Sequence, residues 1–197
     1  MDEVWYVSYG SNMSRERLLC YLQGGRPPGG ASAQPGARDP RPPVADTPAH
    51  LPGRIYFAGT SLTWGGGVAF YDHDRPGPAP ARAYRITIGQ FADITAQENG
   101  REPMADSALE QLLARGLPAD SHRAGPGRYE TLINVGERDG LPMLSFTSPH
   151  GAADVEHTAP SPAYLATIAH GLREAHGWGE EQIAAYLDDR ADRPRSP

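Results

Sequence analysis

The chain has 197 residues, a net charge of −6, one cysteine, 23 glycines and 20 prolines. This length suits a single domain with a hydrophobic core, and the lone cysteine excludes an intrachain disulfide. The acidic balance and the scattered arginines argue against a nucleic-acid-binding protein, which needs a basic surface to neutralise phosphates.

The first predicted element is a strand at residues 4–7, which are all β-branched or aromatic. This stretch is too short, and the residues before it too acidic, for a signal peptide or a membrane span. We therefore expect a cytoplasmic protein with no membrane partner. The turn Tyr9-Gly10-Ser11-Asn12 ends the strand, and Ser14 is a suitable N-cap for a helix over residues 15–22.

The next segment, residues 23–52, is rich in proline and glycine and predicts a long loop without regular structure. Further elements follow in chain order: strands at residues 54–59, 68–71 and 81–88, a short helix at 90–98, an insert at 101–125 with a small helix, a hairpin of 129–135 and 141–147, and helices that begin at 161 and 180. These elements predict one α+β domain over residues 1–190, a small mixed β-barrel or strongly curved sheet with flanking helices. Residues 191–197 are expected to form a disordered tail.

Two glycine-containing motifs could contact a ligand. In residues 9–12 a strand stops at a glycine just before a helix, which exposes backbone N–H groups suited to an anion or a developing oxyanion. The alternative is a tight turn in which Asn12 or Ser14 caps the helix, and spacing alone favours that alternative. Gly65-Gly66-Gly67 would allow close approach to a ligand or mark a bulge, and the pattern alone favours the bulge.

One carboxylate, Glu98, follows an apolar helical turn and could be partly buried, as a general base requires. Its residue type alone does not distinguish it from the other acidic residues, most of which are solvated. The seven histidines show no metal-ligand spacing, since His170 and His176 are six residues apart. Cys20 lies in an apolar helix and is interpreted as a core residue. We therefore predict no metal site.

Taken in order, these motifs resemble the γ-glutamylcyclotransferase family. Residues 4–12 resemble its first strand and Tyr-Gly-Ser-Asn loop, residues 64–69 its glycine-rich strand, residues 84–100 the stretch with its catalytic glutamate, and residues 158–164 the proline-rich start of its late helix. The loop at 23–52 and the insert at 101–125 are additions to the simplest family pattern. Asn99 also stands where the family pattern has glycine, with Gly100 one position later.

The resemblance implies a small mixed barrel and an enzyme that cyclises a γ-glutamyl amide to 5-oxoproline, releasing an amine or an amino acid. It implies Glu98 as the general acid/base. The residues implied to bind substrate are Tyr9, Gly10, Ser11, Asn12, Gly66, Tyr129 and Tyr164. No metal or cofactor is implied, and the expected partner is a small γ-glutamyl molecule.

Two other interpretations stay open at this point. One is an amide hydrolase or acyl transferase on the same scaffold, with Glu98 as the base. The other is a non-catalytic protein that binds a small molecule in the same pocket, although a binder of a γ-glutamyl group would not need the carboxylate. The sequence leaves the substrate, the oligomeric state and the role of residues 23–52 open.

Overall fold

We describe residues 2–191 of the chain in a computed structural model. The strands are β1 (Glu3–Ser8), β2 (Ala45–Leu51), β3 (Arg54–Ala58), β4 (Val68–Asp72), β5 (Ala79–Thr87), β6 (Ser121–Arg123), β7 (Thr131–Arg138) and β8 (Leu141–Thr147). The helices are α1 (Arg15–Gln23), α2 (Ile88–Glu98), α3 (Ala108–Arg115), α4 (Pro162–His176) and α5 (Glu180–Ala191), with a 3₁₀ turn at Ser11–Met13. The α+β class is confirmed. The predicted tail lies outside the described residues from position 192 onward.

Six strands form one mixed sheet in the order β2-β5-β1-β8-β7-β6, and β3 and β4 form a separate antiparallel pair. Strand β1 lies inside the larger sheet, antiparallel to β5 and parallel to β8. Its residues from Val4 to Ser8 are buried, which explains their nearly continuous apolar character. These hydrogen-bond ladders leave β2 and β6 at the edges, so the described strands form a mixed sheet and a hairpin without closing into one ladder.

A side chain joins the two sheets. The hydroxyl of Thr147, at the end of β8, accepts a hydrogen bond from the backbone N–H of Tyr71 in β4 at 2.8 Å. The same hydroxyl donates to the carbonyl of Tyr71 at 2.8 Å. Thr147 therefore satisfies both the N–H and the C=O of a buried residue, Tyr71. Without Thr147 these groups would need a partner in a neighbouring strand. At this position a side chain, and not a β-ladder, links β4 to β8, so the predicted barrel is not closed here.

The predicted loop at residues 23–52 contains a strand that its composition conceals. Strand β2 pairs antiparallel with β5 along its whole length. Its Pro48 is compatible with this pairing because β2 is an edge strand and a proline there removes no hydrogen bond from the sheet interior. The preceding irregular segment is tied to α2, since the buried carboxylate of Asp93 accepts hydrogen bonds from the backbone and side chain of Arg38 at 2.9 Å.

Local sequence signals set the ends of the predicted elements. Thr87 and Gln90 form a reciprocal capping box at the start of α2, with hydrogen bonds of 3.1 and 3.0 Å. Ser161 caps α4, whose first residue is a proline. In the β7–β8 hairpin, Asp139 and Gly140 both have positive φ, as the favoured two-residue hairpin turn requires. No helix within residues 2–191 is both long enough and apolar enough to cross a membrane.

Candidate active site

One cavity brings together nearly all of the predicted site residues. Its walls come from β1 and the turn after it, the ends of α1 and α2, the start of β4, β8 and α4. The predicted residues that line it are Tyr9, Gly10, Ser11, Asn12, Glu98, Tyr129 and Tyr164. These positions span more than 150 residues of sequence, so only the folded chain places them together.

Gly66 does not lie on the cavity wall. It has φ of 71°, and a Cβ built on it would lie 2.6 Å from the carbonyl oxygen of Ala159. At Gly67 the added Cβ would lie 2.1 Å from the carbonyl oxygen of Thr158. These glycines therefore let the chain approach the backbone that precedes α4. Trp64, which precedes the three glycines, does line the cavity.

The turn after β1 is fixed by hydrogen bonds from both of its ends. The hydroxyl of Tyr9 donates to the carbonyl of Phe146 in β8 at 2.9 Å. The backbone N–H groups of Met13 and Ser14 donate to carbonyls within the turn, at 3.1 and 3.0 Å. A 3₁₀ turn leaves its first N–H groups, here those of residues 10–12, without an acceptor inside the turn. These N–H groups can therefore serve an anionic group in the cavity.

The structure separates the two roles that the sequence offered for Asn12. Ser14 is the N-cap of α1, and its hydroxyl accepts from the backbone N–H of Arg17. Asn12 uses its side-chain amide nitrogen instead to donate to Glu98 Oε1 at 3.0 Å and to the hydroxyl of Tyr6 at 3.1 Å. Asn12 thus links the N-terminal turn to the carboxylate that ends α2.

Glu98 is half-buried, and the residues on both sides of it are anchored. The side-chain amide of Gln97 is buried and donates to the carbonyl of Tyr21 at 3.0 Å. The side-chain oxygen of Asn99 accepts from the backbone N–H of Tyr129 at 3.0 Å. Asn99 therefore connects the end of α2 to Tyr129, which also lines the cavity.

Two buried tyrosines bind the two backbone polar groups of the same residue, Ala69, in opposite senses. The hydroxyl of Tyr129 donates to the carbonyl of Ala69 at 2.9 Å, whereas the hydroxyl of Tyr164 accepts from the N–H of Ala69 at 3.1 Å. Tyr164 can therefore still donate its own proton to another group in the cavity. Burial raises the pKa of Tyr164 to about 12, and the charge of Glu98 also raises it, so the hydroxyl is protonated near neutral pH.

A charged residue that the sequence analysis did not select also lines the cavity. Arg17 in α1 is only 3% exposed, and its Nη2 donates to the hydroxyl of Tyr21 at 2.6 Å. Its guanidinium carbon lies 4.2 Å from the centre of the Tyr21 ring and 5.6 Å from the Trp64 ring. The available signal was the i, i+4 spacing of Arg17 and Tyr21, which places both on one face of α1.

No protein-family model matches the chain. Histone deacetylase 5 from Arabidopsis thaliana is 32% identical over 206 aligned positions, which cover 98% of this chain and 31% of that protein. The chain thus spans about a third of the length of this curated relative.

Two solved structures are similar along nearly the whole chain. A γ-glutamyl cyclotransferase has 18% identity and a TM-score of 0.50, with coverage of 98% of this chain and 90% of that one. An uncharacterized protein from Homo sapiens has 17% identity and a TM-score of 0.54, with coverage of 100% and 92%. At these identities the similarity establishes the fold.

Proposed function

Because this chain has the γ-glutamylcyclotransferase fold, we propose that it cyclises a γ-glutamyl amide to 5-oxoproline and releases an amine or an amino acid. The observation that supports this most strongly is the 3.0 Å hydrogen bond from Asn12 to Glu98. It sets a carboxylate beside the N–H groups of residues 10–12 in one cavity. Intramolecular acyl transfer needs this pair, a group that moves a proton and donors that stabilise an oxyanion.

In the first step, Glu98 accepts a proton from the α-ammonium group of the substrate. The resulting amine attacks the γ-carbonyl carbon, which forms the C–N bond of the five-membered ring and moves negative charge onto the carbonyl oxygen. The N–H groups of residues 10–12 and the hydroxyl proton of Tyr164 can stabilise that oxygen. The reaction is intramolecular, so the cavity contributes mainly by holding the substrate folded back on itself.

In the second step, the bond from the former γ-carbonyl carbon to the leaving nitrogen breaks. The protonated Glu98 returns its proton to that nitrogen, which restores the carboxylate. The ring nitrogen still carries one excess proton after its attack, and Glu98 passes this proton to the departing amine, so the products are 5-oxoproline and an ammonium ion. Glu98 suits this exchange because it also lines an open cleft next to the cavity, with Leu62 and Arg101. In this proposal the leaving group occupies that cleft.

Amide hydrolysis is the second candidate, and the name of the Arabidopsis relative favours it, since a deacetylase cleaves an amide bond. Hydrolysis would use Glu98 to activate water instead of the substrate's own amine. The match covers 31% of that relative, however, so the named activity can belong to the part that this chain does not match. The product distinguishes the two reactions.

The test is to incubate the purified protein with γ-glutamyl amino acids, γ-glutamylamines and an acetyl-lysine peptide, and to quantify products by mass spectrometry. We expect 5-oxoproline and the free amine in equal amounts from at least one γ-glutamyl compound. Free glutamate or acetate as the main product would support hydrolysis. Absence of every product would support the non-catalytic interpretation.

Tyr164→Phe is expected to lower kcat by about 10²- to 10³-fold, because it removes one donor to the developing oxyanion. Tyr129→Phe is a matched control. Each variant loses one hydrogen bond to Ala69, but only the Tyr164 hydroxyl has a proton left to donate. Steady-state rates and thermal melting of both variants provide the measurement. Equal loss of kcat in the two variants would mean that the hydroxyl of Tyr164 is only structural.

A further inference from the structure

Arg17 is a buried cation whose donors are only partly used. The side chain is 3% exposed, and among the described residues its guanidinium makes one hydrogen bond, from Nη2 to the hydroxyl of Tyr21. Within residues 2–191, its buried Nε and Nη1 atoms have no hydrogen-bond partner. None of the three nitrogens therefore donates to a carboxylate of the described chain.

Such an arrangement is energetically unfavourable unless something compensates it. Removing an ion from water costs several kcal/mol even after relaxation, and unsatisfied buried donors add to that penalty. The faces of Tyr21 and Trp64 stabilise the charge in part, at 4.2 and 5.6 Å from the guanidinium carbon. Cation–π contacts leave the N–H groups themselves unsatisfied. A planar guanidinium with free donors is complementary to a carboxylate.

The position of Arg17 relative to Glu98 indicates which carboxylate it would bind. Both residues line the same cavity, with Arg17 buried inside it and the half-buried Glu98 next to the open cleft. The hydroxyl of Tyr21 lies close to both groups. Burial raises its pKa well above the usual value, Glu98 raises it further, and Arg17 lowers it. The cavity thus contains one buried positive charge, Arg17, and, towards its opening, the negative charge of Glu98. Arg128 also lines the cavity, but it is exposed and donates to the carbonyl of Thr60 at 3.1 Å.

A γ-glutamyl group carries the opposite pair of charges on a single carbon atom, the α-carboxylate and the α-ammonium. We propose that Arg17 binds the α-carboxylate, so that the α-ammonium faces Glu98 and the N–H groups of residues 10–12 stay available for the γ-carbonyl oxygen. This assignment rests on the proposed function and makes Arg17 a specificity-determining residue. It restricts the substrate to γ-glutamyl compounds with a free α-carboxylate.

Calorimetric binding of 5-oxoproline and of its neutral amide, 5-oxoprolinamide, tests the assignment without turnover. We expect the unmodified protein to bind the acid at least about 20-fold more tightly than the amide, and Arg17→Met to bind the two equally. Arg17→Lys should retain part of the preference. Arg41→Met is the control for net charge, because Arg41 has a 77% exposed side chain, and it should retain the full preference.

Equal binding of acid and amide by the unmodified protein would overturn the proposal, whether or not any variant folds. So would a retained preference in Arg17→Met with an unchanged circular dichroism spectrum. Turnover measurements on the same proteins distinguish failure of the Arg17 assignment from failure of the proposed function. If no γ-glutamyl compound yields 5-oxoproline but the Arg17-dependent preference is present, cyclisation fails and the carboxylate site stands. If 5-oxoproline forms and Arg17→Met keeps the preference, only the role of Arg17 fails.

Discussion

Glu98→Gln is expected to lower kcat/KM for 5-oxoproline formation by about 10³-fold or more while the protein stays folded. A glutamine has nearly the same shape and keeps an oxygen that can accept the hydrogen bond from Asn12. It cannot take a proton from the α-ammonium group or return one to the leaving nitrogen. General acid/base groups typically contribute 10²- to 10⁴-fold, and here the same residue acts in both steps.

Initial rates with the best γ-glutamyl substrate, together with thermal melting of the same samples, check this expectation. Glu181→Gln is a suitable control because Glu181 is an exposed glutamate in the first turn of α5. It should leave the rate unchanged within about two-fold, since it only removes surface charge. If Glu98→Gln keeps full activity, the general-base role is wrong. If the variant unfolds, the carboxylate is structural.

Gly67→Ala is expected to lower the free energy of unfolding by about 3 kcal/mol, near the upper end for overpacking a buried site. The added Cβ would lie 2.1 Å from the carbonyl oxygen of Thr158 and 2.9 Å from its carbonyl carbon. The facing segment is held in place, because Thr158 donates its N–H to Phe57 at 3.0 Å and Gly67 donates to Ala159 at 2.9 Å. Relief of the clash would break these hydrogen bonds.

Urea unfolding of Gly67→Ala and of the control Gly179→Ala measures the difference. No atom lies within 4 Å of a Cβ built on Gly179, and its backbone is not in the left-handed region. The control should therefore change the unfolding free energy by less than about 1 kcal/mol, the loss expected when alanine replaces glycine at a helix N-cap, because Gly179 directly precedes α5. Matching midpoints for the two variants would show that the segment before α4 adjusts freely, contrary to the close packing at Gly67.

Most of the secondary structure could be predicted because its signals are local. The strand at residues 4–7, the capped helices and the Asp139-Gly140 hairpin each depend on residues within a few positions of one another. Strand β2 could not be predicted from its composition. Pro48 argues against a strand unless the strand is known to lie at a sheet edge, and the sheet order is a property of the whole fold.

The residues of the candidate site also fall into those that the sequence could predict and those that it could not. The order of the motifs indicated that Tyr9–Asn12 and Glu98 belong to one site, and both line the cavity. Gly66 was expected to bind substrate but instead approaches the backbone of Ala159, a contact that the sequence could not indicate because Ala159 is distant along the chain. Arg17 was missed because a buried charge depends on its surroundings, and one of the rings beside it, Trp64, comes from another segment. The i, i+4 spacing with Tyr21 is local, but the contact with Trp64 carries no local signal.

The hydrogen bond from Tyr9 to Phe146 joins residues 137 positions apart, and a second one from Ser145 to the carbonyl of Val7 spans 138 positions. Closing such long loops is entropically unfavourable until most of the core is in place. The cavity therefore forms only when the N-terminal strand and β8 have paired, and a fragment that lacks either strand does not contain it. The urea midpoint for the loss of turnover should equal the urea midpoint of global unfolding. Turnover would then report the cooperativity of the whole domain.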